Sequence, residues 1–326
     1  MRVKRIGLPC LLLTGVLAVA ADSGLRGPVL GFVLDPRSHS IRPIQGLPGA
    51  SLLGLPLDIP FAIDRAVFSG RRDSAVVFGA GGVFLVRGMR QNSPEILPLP
   101  ISIADAVSAV FNAPGSAALF YSPAQRQLQI VSGLAADPIA GVAIDCSAQA
   151  GIITSAALDS GAASILVALQ DSGVGSVLLL RADSGTPFPR VVLTTPLPST
   201  ILYFNQDRDA LVADSSSNEV FLIRDLGGSA WATVVASATD GIARPVGIQL
   251  SADEKAMLVA NAGSSSITVH SLAGNAPAIQ LPVPVAPTRF DKLNREPVLL
   301  FNEMGSGPLY LLDEAGGRQV YFVPVN

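Results

Sequence analysis

The sequence predicts an all-β protein in which one unit of short strands is repeated around an axis. A short apolar run recurs six times, and the first residues of successive runs are 43, 46, 46, 47 and 41 positions apart. The runs occupy residues 76–78, 119–121, 165–167, 211–213, 258–260 and 299–301. A period in this range, built from short strands, is typical of the blades of a β-propeller. A blade cannot bury both of its faces alone, so the repeats must pack against one another in a ring.

A second apolar run follows each of the first runs after a short polar segment, as expected for hairpin-linked strands. These second runs begin at Val83, Leu128, Val177, Val220, Ile267 and Leu309. The fourth and fifth repeats align without a gap, since Leu211 to Leu258 and Val220 to Ile267 are both 47 residues. The connections are rich in Gly, Ser, Asp and Asn, as in residues 214–218, and these residue types favour tight turns.

Residues 22–60 fit the repeat less well and leave two interpretations of the blade number. Counting back one period from Val76 reaches Gly31-Phe32-Val33, which predicts a partial N-terminal blade and a propeller of seven blades. In the alternative, a propeller of six blades, this segment supplies strands that close the ring with residues 319–323. In both cases we expect residues 22–326 to form one domain, because the repeats are evenly spaced and no flexible linker interrupts them.

The fifth repeat carries a set of short motifs that resemble a known family. They are Arg-Pro-Val-Gly-Ile (244–248), Ser-Ala-Asp-Glu-Lys (251–255), Leu-Val-Ala-Asn (258–261) and Ser-Ile-Thr-Val (266–269). This order is similar to that of the YVTN-type bacterial β-propellers, in which a Ser-Pro-Asp-Gly-like turn precedes a Tyr-Val-Ala/Thr-Asn strand. The resemblance is clear in this repeat and fair in the repeat before it. It implies a propeller outside the cytoplasm, and it implies no reaction and no functional residue.

The N-terminal 20 residues carry the pattern of a secretory signal peptide. Arg2, Lys4 and Arg5 precede an apolar stretch from residue 6 to residue 20, and Ala18-Val19-Ala20 offers small residues for cleavage. The alternative is an N-terminal membrane anchor, but about 15 apolar residues fall short of the roughly 20 that a spanning helix needs. We therefore predict a secreted or periplasmic protein with no membrane-spanning segment after residue 20.

Composition and charge narrow the class of partner. The chain is 49% hydrophobic and only 14% charged, which fits a compact β-protein, and its net charge of −3 argues against a nucleic-acid surface. After cleavage Cys146 is the only cysteine, so no disulfide can form within the chain. We interpret Cys146 as a small buried residue, and the alternative is a reactive or interchain thiol. The expected partner is a protein or a small molecule, bound by a monomer.

The sequence offers no clear set of catalytic or metal-binding residues. Its histidines are His39 and His270, and together with Cys146 they are too scattered for a zinc site. No Gly-x-Ser-x-Gly motif is present, and no acidic turn has the spacing of a calcium loop. We interpret His270 as a partly exposed structural residue. We therefore predict no catalytic centre, no metal and no cofactor.

Two functions from different classes follow from this pattern. The favoured one is a binding or protein-interaction scaffold, and the alternative is a lactonase-like or other hydrolytic enzyme with a site at the central channel. Among the polar residues near blade starts, which also include Asp64, Arg65 and Asn205, we select Arg244 and Arg289 as the ligand-contacting pair. The competing interpretation of both arginines is that they are solvated at strand edges.

The segments that join the repeats are rich in proline and predict a stiff binding rim. Because blade stacking constrains the strands, the joining loops are the parts free to vary. Four apolar residues on these loops, Leu97, Leu99, Phe188 and Leu197, are either partly exposed for a partner or folded inward between blades.

Overall fold

The computed structural model describes residues 27–325, except residues 71–72, 92, 107, 183–188, 275, 295–296 and 306. The predicted signal peptide, residues 1–20, and Phe188 lie outside the described residues. The described chain is all-β, with one turn of 3-10 helix at Ala238–Asp240. No helix within these described stretches is long and apolar enough to span a membrane.

Seven antiparallel sheets form the blades of a propeller, numbered 1 to 7 in chain order. Blade 1 contains β1 (Val29–Asp35), β2 (Ser40–Leu47) and β3 (Ala50–Leu53). Blade 2 contains β4 (Ile63–Phe68), β5 (Ser74–Gly79), β6 (Gly82–Arg87) and β7 (Glu95–Pro98). Blade 3 contains β8 (Ser108–Phe111), β9 (Ala117–Ser122), β10 (Gln127–Ser132), β11 (Ile139–Ala140) and β12 (Ile144–Asp145).

The remaining blades each have four strands in chain order. Blade 4 contains β13 (Ile152–Leu158), β14 (Ser164–Asp171), β15 (Val174–Arg181) and β16 (Arg190–Thr195). Blade 5 contains β17 (Pro198–Phe204), β18 (Asp209–Asp214), β19 (Glu219–Arg224) and β20 (Trp231–Ala236). Blade 6 contains β21 (Pro245–Leu250), β22 (Ala256–Asn261), β23 (Ser266–Ser271) and β24 (Ile279–Pro282). Blade 7 contains β25 (Asp291–Lys292), β26 (Val298–Leu300), β27 (Leu309–Asp313) and β28 (Gln319–Val323).

The six apolar runs of the sequence lie on the second strands of blades 2 to 7, as predicted. Both faces of such a strand are covered, and every residue of β18 is buried. An uninterrupted apolar strand is the pattern expected when sheets lie on both sides. Burying one Val or Leu side chain fully contributes about 1.5–3 kcal/mol, so these strands hold the blades together.

Buried side chains form seven apolar clusters, and each cluster joins two neighbouring blades. Between blades 6 and 7, for example, Leu258 and Ile267 pack with Phe301 and Leu312. Between blades 7 and 1, Leu30 and Val33 belong to the same cluster as Leu311. The ring is therefore closed, and the preference for seven blades is confirmed.

The alternative, in which residues 22–60 close the ring by strand pairing with residues 319–323, is not found among the described strands. Those C-terminal residues form β28, which pairs only with β27 of its own blade among the described strands. β28 contacts β3, yet the two strands share no sheet. Since blade 7 takes all four of its strands from its own segment, closure rests on face-to-face packing of blades 7 and 1.

Blade 1 is the irregular blade, and its β1 corresponds to the second strand of the others. The carbonyl of His39, in the β1–β2 turn, accepts a hydrogen bond from the Ile63 N–H at the start of blade 2 (2.8 Å). In blade 5, Asn218 in the turn between the second and third strands accepts one from the Arg244 N–H just before blade 6 (2.6 Å). The two turns are therefore equivalent, and β1, β2 and β3 match the second, third and fourth strands of the other blades. The described residues include no first strand for blade 1.

Candidate functional site

First strands of neighbouring blades contact one another and surround the central channel. At the end of the channel where these strands turn into the second strands lies a cavity of about 680 Å³. Blades 2, 3, 5, 6 and 7 all contribute to its wall. Three aromatic side chains, Phe68, Phe111 and Tyr203, stand beside the charged Glu254, Asp291 and Lys292.

Register along the repeat explains why these residues meet. Phe68, Phe111, Tyr203 and Leu250 each stand eight positions before the first residue of the following apolar run. Lys292 stands seven positions before Leu299, at the matching end of β25. All five line the cavity, because the ends of successive first strands meet around the axis. In strand pairing Lys292 matches Val67, Val110, Leu202 and Gln249, each of which pairs with the first residue of its run. Blade 7 therefore places a lysine where these four blades place an apolar side chain or a glutamine.

Hydrogen bonds between hairpins fix the rim of this cavity. The Asn112 side-chain amide of blade 3 donates to the Ser160 carbonyl of blade 4 (2.9 Å). The Ser160 N–H donates to Asp207 Oδ2 of blade 5 (3.0 Å). The Asn205 N–H of blade 5 donates to Glu254 Oε2 of blade 6 (3.3 Å). Four successive hairpins are thus linked, which orders the polar groups at the cavity mouth.

Side chains also tie the first strands together along the channel wall. Thr154 Oγ1 donates to the Pro198 carbonyl (2.7 Å), which joins blade 4 to blade 5. Gln249 Nε2 donates to the Phe290 carbonyl (2.8 Å), which joins blade 6 to blade 7. A Cβ at Gly247 would lie 2.5 Å from Phe290 Cβ, so only glycine permits this close approach of the two strands.

Lys292 is the basic group of the cavity wall. Burial lowers the pKa of its ammonium group, because desolvation disfavours the charged form. The carboxylates of Glu314 and Glu254 act in the opposite direction and favour the charged form. Burial also raises the pKa of Glu314, against the attraction of Lys292. The lysine is therefore a desolvated amine held within an acidic surrounding.

Tyr203, which lines the same cavity, also packs against the apolar cluster between blades 4 and 5. Its hydroxyl oxygen is buried and makes no hydrogen bond within the described part of the chain. Burial, followed by the nearby carboxylates of Asp159 and Asp207, raises the pKa of the phenol, which keeps it protonated. A buried hydroxyl without a partner costs free energy.

The two arginines selected from the sequence do not line this cavity. Arg244 is exposed ahead of β21, toward the opposite end of the channel wall. Arg289 lies ahead of β25, and its Nε donates to Asp291 Oδ2 (2.6 Å), a carboxylate of the cavity wall. The guanidinium of Arg289 thus reaches the cavity only through Asp291. The ligand-contacting role of the two arginines stays a prediction.

The other polar candidates occupy separate positions. Asp64 lines a second cavity of about 430 Å³, together with Asp105. Its Oδ1 lies 3.9 Å from His39 Nδ1, and both side chains are largely exposed. Arg65 is exposed on β4, and Asn205 belongs to the rim described above. These residues do not converge on one site.

Cys146 and His270, which were considered from the sequence as reactive or metal-binding residues, are both buried. Cys146 is buried between blades 3 and 4, as expected, and burial followed by the charge of Asp145 raises the pKa of its thiol to about 11. His270 is buried on β23 rather than partly exposed, and burial lowers the pKa of its imidazole. Within the described ranges, no group of three or more His, Cys, Asp or Glu side chains is placed to hold a metal ion.

The apolar residues of the joining loops are mostly folded inward. Leu99 is buried in the cluster between blades 2 and 3, and Leu97 packs against the same cluster. Leu197 is half-buried ahead of β17. Phe188, the fourth residue of this set, lies outside the described residues. The described loop residues therefore contribute more to blade packing than to an apolar rim.

Comparison with known proteins supports the fold. No protein-family model and no curated protein sequence matches this chain. A functionally unknown protein from Desulfotomaculum acetoxidans has a similar structure, with 14% identity, a TM-score of 0.66 and coverage of 90% of this chain and 95% of that chain. A putative 6-phosphogluconolactonase from Bacteroides fragilis has 11% identity, a TM-score of 0.65 and coverage of 90% and 92%. A protein from Lactobacillus plantarum has 11% identity, a TM-score of 0.63 and coverage of 91% and 96%. At these identities the likeness concerns the propeller fold alone.

Proposed function

We propose that this protein is an exported binding protein that holds a small molecule in the cavity formed by the first strands. The observation that carries the proposal is a cavity of about 680 Å³ whose wall combines the aromatic Phe68, Phe111 and Tyr203 with the charged Glu254, Asp291 and Lys292. Ligand pockets commonly have volumes of about 300–1,000 Å³, with apolar walls and a few convergent polar groups. Phe68 and Phe111 supply the apolar walls here.

The proposal of export rests on the N-terminal pattern of basic residues, apolar core and small residues. Outside the cytoplasm, a rigid ring with linked hairpins suits a binding role. Its cavity groups are ordered before a ligand arrives, so binding costs less conformational entropy. A fusion of residues 1–26 to a reporter enzyme tests this part, because export would place the reporter outside the cytoplasmic membrane.

Binding is tested by a thermal-shift screen of the purified protein against lactones, sugars and small peptides. For any compound that raises the melting temperature, Lys292→Met is expected to weaken binding about tenfold, or about 1.4 kcal/mol, through loss of the basic group of the cavity wall. Arg244→Ala serves as the matched variant at the opposite end of the channel wall. If Arg244→Ala weakens binding and Lys292→Met does not, the ligand is bound near the arginine and the cavity proposal is wrong.

A hydrolase is the second candidate, and the cavity chemistry favours it over other enzymes. Glu254, Asp291 and Lys292 supply two carboxylates and an amine within one cavity, as acid–base catalysis of hydrolysis requires. One protein of similar fold is described as a putative 6-phosphogluconolactonase, which makes lactones the first compounds to assay. Turnover of a lactone that is lost in Glu254→Gln would support this candidate. Binding without turnover would support the binding protein.

A further inference from the structure

The outermost strand of blade 5 has an open edge at the perimeter of the ring. This strand, β20, pairs with β19 on its inner side. On its outer side it pairs with no strand among the described residues. An open edge presents backbone N–H and C=O groups to which a strand of another chain can bond, so monomeric proteins protect such edges.

The outer strands of the other six blades carry protection that β20 lacks. Charged residues, prolines and short strands are the usual means of preventing edge-to-edge pairing. β3 and β24 have four residues, β11 and β12 have two, β7 contains Glu95 and Pro98, β16 begins with Arg190, and β28 lies between Arg318 and Pro324. β20 has six residues, and the whole stretch from residue 226 to residue 239 contains neither a charged residue nor a proline. Among the outer strands, β20 is therefore the one best suited to pair with another chain.

Exposed apolar side chains accompany this open edge. Trp231 is 51% exposed and Val234 is 48% exposed, and Thr233 between them is exposed as well. The guanidinium of Arg224 lies over the Trp231 ring, 6.0 Å from its centroid, which favours one orientation of the ring at the surface. A partner strand would therefore cover apolar surface and also bond the open backbone groups.

We propose that β20 pairs antiparallel with β20 of a second copy of this chain, so that two four-stranded blades form one continuous sheet. A bulge lies at Val235, toward the end of β20, so pairing uses the regular part of the strand, residues 231–234. A two-fold axis at Thr233 places this residue opposite its own counterpart and Ala232 opposite Val234 of the other copy. Threonine pairs and small–large pairs of this kind are compatible with close strand pairing.

Charges at the two ends of β20 favour a second copy as the partner. Arg224 lies beside Trp231 at the start of the strand, and 45% of its side chain is exposed although its Nη1 lies 3.7 Å from Asp209 Oδ2. Asp240 is exposed in the 3-10 turn just after the end of the strand. Antiparallel pairing places the start of one strand beside the end of the other. Arg224 of each copy would then face the segment that carries Asp240 of the other, and these opposite charges attract.

The small contact predicts a weak dimer. One pair of edge strands is small compared with the about 1,200 Å² that stable, specific complexes bury, so we expect a dissociation constant on the order of 10–100 µM. The dimer replaces the monomer expected from the sequence. Because β20 lies at the perimeter and the cavity lies at the channel, pairing leaves the proposed ligand site open in both copies.

The test is sedimentation velocity of the full chain over a concentration series that spans this range, with tryptophan emission recorded on the same samples. Trp231 is the only tryptophan of the sequence, so its emission reports on this edge. The expected result is a dimer that forms with concentration and a blue shift of the Trp231 emission with the same midpoint. A monomer at every concentration would overturn the proposal, and so would a dimer whose formation leaves the emission of Trp231 unchanged. Both signals come from the wild-type protein and do not depend on a variant that folds.

Matched lysine substitutions then locate the contact. Val234→Lys places a charge on the open edge and is expected to raise the dissociation constant about tenfold or more. Ile279→Lys changes a residue of equal exposure, 48%, on the outer strand of blade 6 and should leave the dimer unchanged. Circular dichroism checks that both variants keep the β-fold. A dimer that is disrupted by Ile279→Lys and not by Val234→Lys would place the contact on another blade and overturn the proposal.

Discussion

Blades 1 and 5 contain the same local turn but connect it to the rest of the molecule in different ways. In blade 5, Asp214 ends the second strand and is fully buried. Its carboxylate accepts hydrogen bonds from the N–H groups of Ser216 (2.8 Å) and Ser217 (2.7 Å) in the turn that follows. It also accepts bonds from Thr195 Oγ1 (2.7 Å) and the Leu197 N–H (2.6 Å), which lie just ahead of the first strand.

In blade 1, Asp35 holds the equivalent position at the end of β1. Its carboxylate accepts a hydrogen bond from the Arg37 N–H (3.0 Å), two positions on, as Asp214 does from Ser216. No first strand of blade 1 lies within the described residues, and the second partner is the guanidinium of Arg42 on β2 (3.3 Å). One turn motif thus serves both blades, while the long-range partner of its carboxylate depends on whether a first strand is present to bind it.

The largest expected effect follows removal of the buried carboxylate of blade 5. We expect Asp214→Ala to lower the free energy of unfolding by about 3–5 kcal/mol, because four donors would lose their charged acceptor inside the protein. Urea denaturation followed by circular dichroism measures the change. The control is Asp253→Ala at an exposed turn, for which we expect little change. Similar losses in the two variants would show that burial of Asp214 is unimportant.

The corresponding change in blade 1 should have a smaller effect. Asp35→Ala removes one turn hydrogen bond and one ion pair with Arg42, and we expect a loss of about 1–2 kcal/mol. A double-mutant cycle with Arg42→Ala isolates the ion pair within that total. A loss for Asp35→Ala as large as that for Asp214→Ala would contradict the difference between the two blades.

The smallest expected effect is on the acid sensitivity of the protein, through the same two carboxylates. Burial opposes ionisation of both carboxylates, but hydrogen bonds outweigh it and hold the pKa of Asp35 and Asp214 below the usual value of 3.8. The stability that each contributes is therefore present above about pH 3.8 and is lost as the pH falls through the lower pKa of the folded state. Denaturation at several pH values below 4 should show a shallower pH dependence for Asp214→Asn than for wild type. Asp35→Asn is the matched variant, and an unchanged slope for Asp214→Asn would refute the linkage.

Much of the fold could be predicted because blade stacking leaves a periodic mark on the sequence. The second strands are buried on both faces, so their apolar runs recur with the period of the blade. The candidate site was predicted less well. Tyr203 and Lys292 lie near the ends of their first strands, where the register of the repeat carries a signal. Arg244 and Arg289 were selected instead for their charge and their place at the starts of blades.

The strand pattern, the repeat and the preference for seven blades could be predicted from the sequence alone, because each depends on contacts within a repeat or between adjacent repeats. The closure of the ring by packing of blades 7 and 1 could be seen only in the tertiary structure. There β28 pairs with β27 of its own blade, and buried side chains join blade 7 to blade 1. The tertiary structure also decided that Lys292, Tyr203 and Glu254 share a cavity. These residues come from different blades, and their meeting depends on the closure of the whole ring rather than on any local pattern.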